Sequence, residues 1–181
     1  SGNSILNDDL SNEQLCVSIE DAIRLNASAV AFSIYIGGAY EHQTIVEFSK
    51  LVNDAHRYGI PVLAVTAVGK DMNRDLRYLS LASRIAVELG ADIVKTYYCE
   101  GFSELISVCP VPVVIAGGKK VPELDALEFA HKAISDGAAG VDMGRNIFQS
   151  DSPENMIQTV RSVVVNGVEP KDAYEKYKSS L

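Results

Sequence analysis

The chain alternates between short apolar runs and longer stretches with apolar residues at helical spacing. That alternation limits its fold more than any other feature. The runs are Ala29–Ile36, Pro61–Val68, Ala91–Tyr98, Val111–Ala116 and Ala138–Gly144. They are apolar almost throughout, the pattern of strands buried on both faces. Between them, Ile45, Phe48, Leu51, Val52 and Ala55 fall on one helical face. Leu76, Leu79, Ala82, Ile85, Ala86 and Leu89 mark a second helix, and Leu124, Leu127, Ala130 and Ile134 a third. Gly59, Gly90 and Gly137 close these helices. Ser18 is placed to cap a short helix before the first strand, and another short helix is expected over Phe102 to Val108. Two more begin near Pro153 and Pro170, both first-turn prolines. Five strands separated by helices predict parallel βαβ units in one domain spanning residues 1–181.

Two architectures fit this order. A (β/α)8 TIM barrel takes about 250 residues and carries its site at the carboxyl ends of its strands. An open doubly wound sheet suits five strands equally well. The loops favour the barrel. Connections into strands are tight, as in Tyr58-Gly59-Ile60-Pro61, whereas connections out of strands are longer and hold Gly, Lys, Arg and Asn. No G-x-G-x-x-G follows a strand, and Gly69-Lys70 lacks the rest of a phosphate-binding P-loop.

Composition narrows the partners. The 181 residues carry a net charge of -8, which excludes a general nucleic-acid surface but not a small anionic substrate. No run reaches the roughly 18 apolar residues of a membrane span, and no signal peptide is visible. Three cysteines, Cys16, Cys99 and Cys109, match no zinc spacing and point to a reduced, cytoplasmic setting. Cys16 and Cys109 are expected as buried small residues; Cys99 is either inert filler or a neighbour of the site. His42, His56 and His131 form no metal set with Glu123, Asp125 and Glu128. His56 and His131 are expected to face solvent.

Lys95 is the residue with the clearest chemistry. Ile93, Lys95 and Tyr97 share one face of their strand. An amine on an inner strand face loses solvation and can act as a Schiff-base nucleophile; the alternative is a lysine reaching a carboxylate at the strand end. Downstream, Gly117-Gly118-Lys119-Lys120 and Gly144-Arg145-Asn146 end the last two strands. Gly-rich strand ends with cationic neighbours can bind phosphate through backbone N–H groups. Lys70, Asp71 and Tyr97 are candidates for the rim of such a site.

The segments Val94-Lys95-Thr96-Tyr97-Tyr98, Pro112–Lys120 and Val141–Gln149 resemble the class I aldolase family of archaeal type. Tyr40-Glu41-His42-Gln43, Val68-Gly69-Lys70-Asp71-Met72 and Asn146–Asp151 bring the chain closest to that family's thiolase branch, which acts in autoinducer-2 catabolism and quorum sensing. The resemblance implies a (β/α)8 barrel, of which this chain holds strands four to eight. It places the Schiff-base lysine at Lys95 and the substrate phosphate at Gly117, Gly118, Gly144 and Arg145. It implies thiolytic cleavage of 3-hydroxy-2,4-pentanedione 5-phosphate, with coenzyme A as co-substrate and no bound cofactor or metal. Ring-like homo-oligomers are also implied. Two departures accompany it. The family's first three strands, with a catalytic Asp-His pair, have no counterpart here, so the expectation is a segment of a longer barrel with little activity of its own. Ala67 stands where the family's aldolases carry a strand-five tyrosine. The alternatives are a class I fructose-bisphosphate-type aldolase and a non-catalytic phosphosugar-binding protein.

Overall fold

A computed structural model describes residues 9, 11–68 and 73–180. The chain divides into two units, Ser1–Val113 and Val114–Leu181. The first begins with α1 (Ile19–Arg24), where the Ser18 hydroxyl accepts the Asp21 N–H at 3.1 Å. It continues with β1 (Val30–Ile36), α2 (Glu41–Arg57), β2 (Val62–Val68), α3 (Leu76–Glu88), β3 (Ile93–Thr96) and α4 (Phe102–Val108). β1 pairs with β2 and β2 with β3, all parallel and in chain order. A doubly wound sheet reverses its strand order at a switch point; this order does not reverse.

Alternation of side chains fixes what each strand face does. Phe32, Ile34 and Ile36 of β1, Val62, Ala64 and Thr66 of β2, and Val94 and Thr96 of β3 are buried. α2 packs on β1, and α3 on β2 and β3. These helices contribute Phe48, Leu51, Val52 and Ala55 from α2 and Leu79, Ala82 and Ala86 from α3. Phe48 and Leu79 are fully buried; truncating either to Ala costs about 2–5 kcal/mol. The opposite face, with Ser33, Tyr35, Leu63, Val65, Ala67, Ile93 and Lys95, is only half-buried. Strands buried on both faces were the expectation from composition. One face is buried because both helices pack on it.

The second unit is built on parallel β4 (Val113–Ala116) and β5 (Gly140–Asp142). α5 (Glu123–Ser135) lies between them, and α6 (Arg145–Phe148), α7 (Pro153–Asn166) and α8 (Pro170–Ser179) follow. Leu127, Ala130, Met143, Met156, Val163 and Tyr177 make its core. The Tyr177 hydroxyl, inside that core, accepts the Ser152 N–H at 3.1 Å just ahead of α7. The four-residue α6 was not legible as a helix, because about one turn of chain cannot display a 3.6-residue period.

At the amino ends of the strands, Asp92 ties three elements together. Its Oδ2 accepts the Val62 N–H at 2.8 Å and bonds to His56 Nε2 at 2.9 Å. His56 is exposed, as its position on α2 suggested, and meets Asp92 at the surface. Burial opposes ionisation of Asp92, but Val62 and His56 outweigh it and hold the carboxyl below the usual Asp range. A carboxyl depressed in the folded state stabilises above its unfolded pKa, and that contribution fades as pH falls through the folded value. Asp92→Asn is therefore expected to lower the unfolding free energy at pH 7 by roughly 1 kcal/mol, the net worth of one hydrogen bond, and with it the urea midpoint. The gap should close below about pH 4. Urea titrations at pH 7 and in acid measure both.

Candidate active site

Lys95 lies in β3, paired in register with Val65, which in turn pairs with Ser33 of β1. The Thr66 hydroxyl donates to the Lys95 carbonyl at 3.2 Å, fixing the β3 backbone at this residue. The side chain points away from the helices and is half-buried. Loss of solvation at an inner-face lysine was the expectation. Lys95 is half-buried, on the face that the helices do not cover.

Beyond Lys95, the carboxyl ends of β1–β3 gather aromatic and charged groups. Tyr97 follows on the same face and is half-buried, with the Arg74 guanidinium 3.8 Å from its ring centroid. Tyr35, near the end of β1, is in register with Ala67. Its hydroxyl donates to Glu13 Oε1 at 3.1 Å. Burial, then the Glu13 carboxylate, pushes the Tyr35 phenol up to about 12. Lys70 and Asp71, the other candidates for the rim, lie outside the described residues. Tyr35 was open to detection by period-2 spacing in β1, since it shares a face with Ser33. Glu13 and Arg74 were not, because they reach the site from segments without regular structure.

The cysteines divide by environment. Cys99 is buried, and burial, then the Asp75 carboxylate, pushes its thiol pKa up. Cys109 is buried as expected. Cys16 is exposed, contrary to expectation. It sits in an irregular stretch ahead of α1, where no apolar face forms to bury it, and its thiol donates to the Gln14 carbonyl at 3.4 Å. His42 is exposed and His131 half-buried, each on a helix. Among the described residues no group of three or more His, Cys, Asp or Glu could hold a metal.

In the second unit, the loops after β4 and β5 are stitched together. Gly117 N–H donates to the Asp142 carbonyl at 3.0 Å. A Cβ at Gly117 would lie 2.9 Å from the Met143 Cα, so only glycine permits this crossing. Gly118 takes a left-handed φ of 67°. Asn146, in α6, is 1% exposed and spends its amide on this loop. Its Oδ1 accepts the Val121 N–H at 2.9 Å; its Nδ2 donates to the carbonyls of Gly117 at 2.8 Å and Lys119 at 3.2 Å. The Gly117–Val121 turn is thereby tied to α6, the helix that Gly144 and Arg145 begin. Lys120 is committed to Glu123, which it holds below the usual carboxylate range. Lys119 and Arg145 remain exposed. This is a cationic, glycine-rich turn able to accept an anion. The sequence placed Asn146 in the strand-end motif but not its bracing bonds, because its partners are backbone groups 25 to 29 residues away.

Known proteins match both units. The pattern of the DeoC/LacD family aldolases covers residues 1–150. A curated relative from Klebsiella pneumoniae subsp. pneumoniae, named 3-hydroxy-5-phosphonooxypentane-2,4-dione thiolase, is 58% identical over 96% of this chain and 59% of its own length. A relative of the same name from Photorhabdus laumondii subsp. laumondii is also 58% identical, over 98% of this chain and 61% of its own. The chain thus spans about three fifths of the curated relatives it matches. Among solved structures, an archaeal fructose 1,6-bisphosphate aldolase superposes with a TM-score of 0.78 at 32% identity. That match covers 83% of this chain and 63% of the aldolase. A Schiff-base-forming fructose-1,6-bisphosphate aldolase matches with a TM-score of 0.77, over 82% of this chain and 62% of its own. Sheet order and structural likeness agree on five βα units of a (β/α)8 barrel, and the chain belongs to the DeoC/LacD aldolase family.

Proposed function

We propose that the protein cleaves 3-hydroxy-5-phosphonooxypentane-2,4-dione with coenzyme A, giving dihydroxyacetone phosphate and acetyl-CoA. The observation that carries the reading is Lys95, an amine on the half-open face of β3 in a chain closely similar to named thiolases. Lys95 attacks the substrate C4 carbonyl and forms an iminium. The C2–C3 bond then breaks, because its electron pair is accepted into the iminium as an enamine. The C2 acetyl group passes to the coenzyme A sulfur. The proton that the thiol gives up balances the one that C3 of the enamine takes, which restores the iminium; water then hydrolyses it and frees the amine.

The phosphate is assigned to Gly117, Gly118, Gly144 and Arg145: the Gly117 N–H is taken by the Asp142 carbonyl, which leaves the backbone N–H groups of the other three and the Arg145 guanidinium for an anion. Lys95 stands toward the carboxyl end of β3, the end at which barrel enzymes carry their site. Tyr97 borders the same strand end as Lys95. Ala67 offers no proton-transferring hydroxyl, which favours the thiolase over a fructose-bisphosphate-type aldolase. The reading places the protein in autoinducer-2 catabolism and quorum sensing, in the cytoplasm, as a ring-like homo-oligomer. Among the described residues no helix is long and apolar enough to cross a membrane.

Dihydroxyacetone phosphate with borohydride should add reduced product to the peptide holding Lys95, and Lys95→Met should abolish the addition. Trapping that survives at a different lysine overturns the assignment. Acetyl-CoA should form only when coenzyme A is supplied; aldol cleavage without it returns the aldolase reading. Asn146→Ala should leave the Gly117 loop unbraced and raise the KM for phosphorylated substrate roughly tenfold, the equivalent of about one hydrogen bond.

A further inference from the structure

Tyr35 and Glu13 form a pair that the Schiff-base chemistry of Lys95 does not use. The Tyr35 ring sits on the face of β1–β3 that holds Lys95, at the carboxyl end of β1. Its hydroxyl donates to Glu13 Oε1 at 3.1 Å. The second oxygen, Glu13 Oε2, is buried and has no hydrogen-bond partner among the described residues. A buried, unpaired carboxylate oxygen costs stability. The Tyr35 hydrogen bond itself leads to the other oxygen, Oε1.

Position links this pair to Lys95. Tyr35 is in register with Ala67, and Val65 with Lys95. Tyr35 therefore lies two strands across and two residues along from Lys95, roughly 12 Å between Cα atoms by strand spacing and rise. A small substrate held between the two side chains spans that gap. Ala67 lies between Tyr35 and Tyr97 and contributes only a methyl group. The other groups acting on the Tyr35 phenol are Ser33 and Tyr97.

We propose that Tyr35, backed by Glu13, carries the proton of the thiolytic reaction. The inference rests on the proposed activity and deepens it. The coenzyme A thiol gives its proton to the Tyr35 oxygen while the Tyr35 proton passes to Glu13 Oε1. The sulfur lone pair attacks the C2 carbonyl. The C2–C3 bond breaks, and its electron pair forms the enamine on Lys95. The proton then returns from Glu13 through Tyr35 to C3. One proton leaves sulfur and arrives at carbon, and the pair ends as it began. No oxidant, reductant or further acid enters.

The experiment separates proton transfer from Schiff-base formation. The purified protein, Tyr35→Phe and Glu13→Gln are each incubated with dihydroxyacetone phosphate in deuterium oxide. Borohydride trapping at Lys95 and deuterium uptake at the hydroxymethyl carbon are measured, and acetyl-CoA formation is assayed separately. Both variants should keep trapping and lose deuterium uptake and acetyl-CoA formation by about 100-fold or more, the usual share of a positioned acid-base group. Deuterium uptake at the parent rate in either variant overturns the proposal. So does loss of trapping together with uptake in both, since the pair would then shape the lysine site and not move the proton. Failure of the unsubstituted protein to trap at all overturns the Schiff-base reading itself, and is seen before any variant is compared.

Discussion

Burial of one face of β1–β3 against α2 and α3 is the constraint on which the Lys95 face depends. Phe32, Ile34 and Ile36 cannot reach Phe48 and Leu51 unless Ser33 and Tyr35 point the other way. The same rule in β3 turns Val94 and Thr96 toward the helices and Lys95 away from them. A shift of one residue would exchange the two faces. It would place an amine among apolar side chains and expose Val94. The cost of that exchange holds the register, and the register places Lys95, Tyr97 and Tyr35 on a common surface.

Single polar side chains then hold the ends of the strands. Asp92 works at the amino ends, where a carboxylate meets a backbone N–H and an imidazole. Asn146 works at the other end of the second unit's strands, where one amide satisfies three backbone groups of the Gly117 loop. Both residues stabilise conformations that have no ladder partners of their own. Their placement matches the division seen in barrels, with stability served at the amino ends and chemistry at the carboxyl ends. Glu13 differs from both, because it keeps a buried oxygen without a partner among the described residues. An unsatisfied group of that kind in an otherwise paired site is a reason to look for chemistry.

Much of the fold was legible because it rests on local periodicity. The helix over Phe102–Val108, the caps at Ser18 and the first-turn prolines Pro153 and Pro170 all stand where the sequence placed them. The strands are shorter at their ends than the apolar runs, most clearly at Ala91–Tyr98, of which only Ile93–Thr96 forms a ladder. Apolar residues continue past the point where pairing stops, so hydrophobicity alone marks strand ends poorly. Cys16 failed for a related reason. Burial of a small residue depends on a packed surface nearby, and nothing local creates one there.

What the sequence determined by itself was the alternation of strands and helices, the face shared by Lys95 and Tyr97, and the two glycine-rich strand ends. Each follows from the periods of side-chain direction and from the freedom of glycine, which act between near neighbours. Only the tertiary structure decided that the Lys95 face is half open, that Asn146 braces the Gly117 loop, and that Glu13 meets Tyr35. Those outcomes join residues more than twenty positions apart. Their contact is set by strand register and packing, which no local pattern encodes.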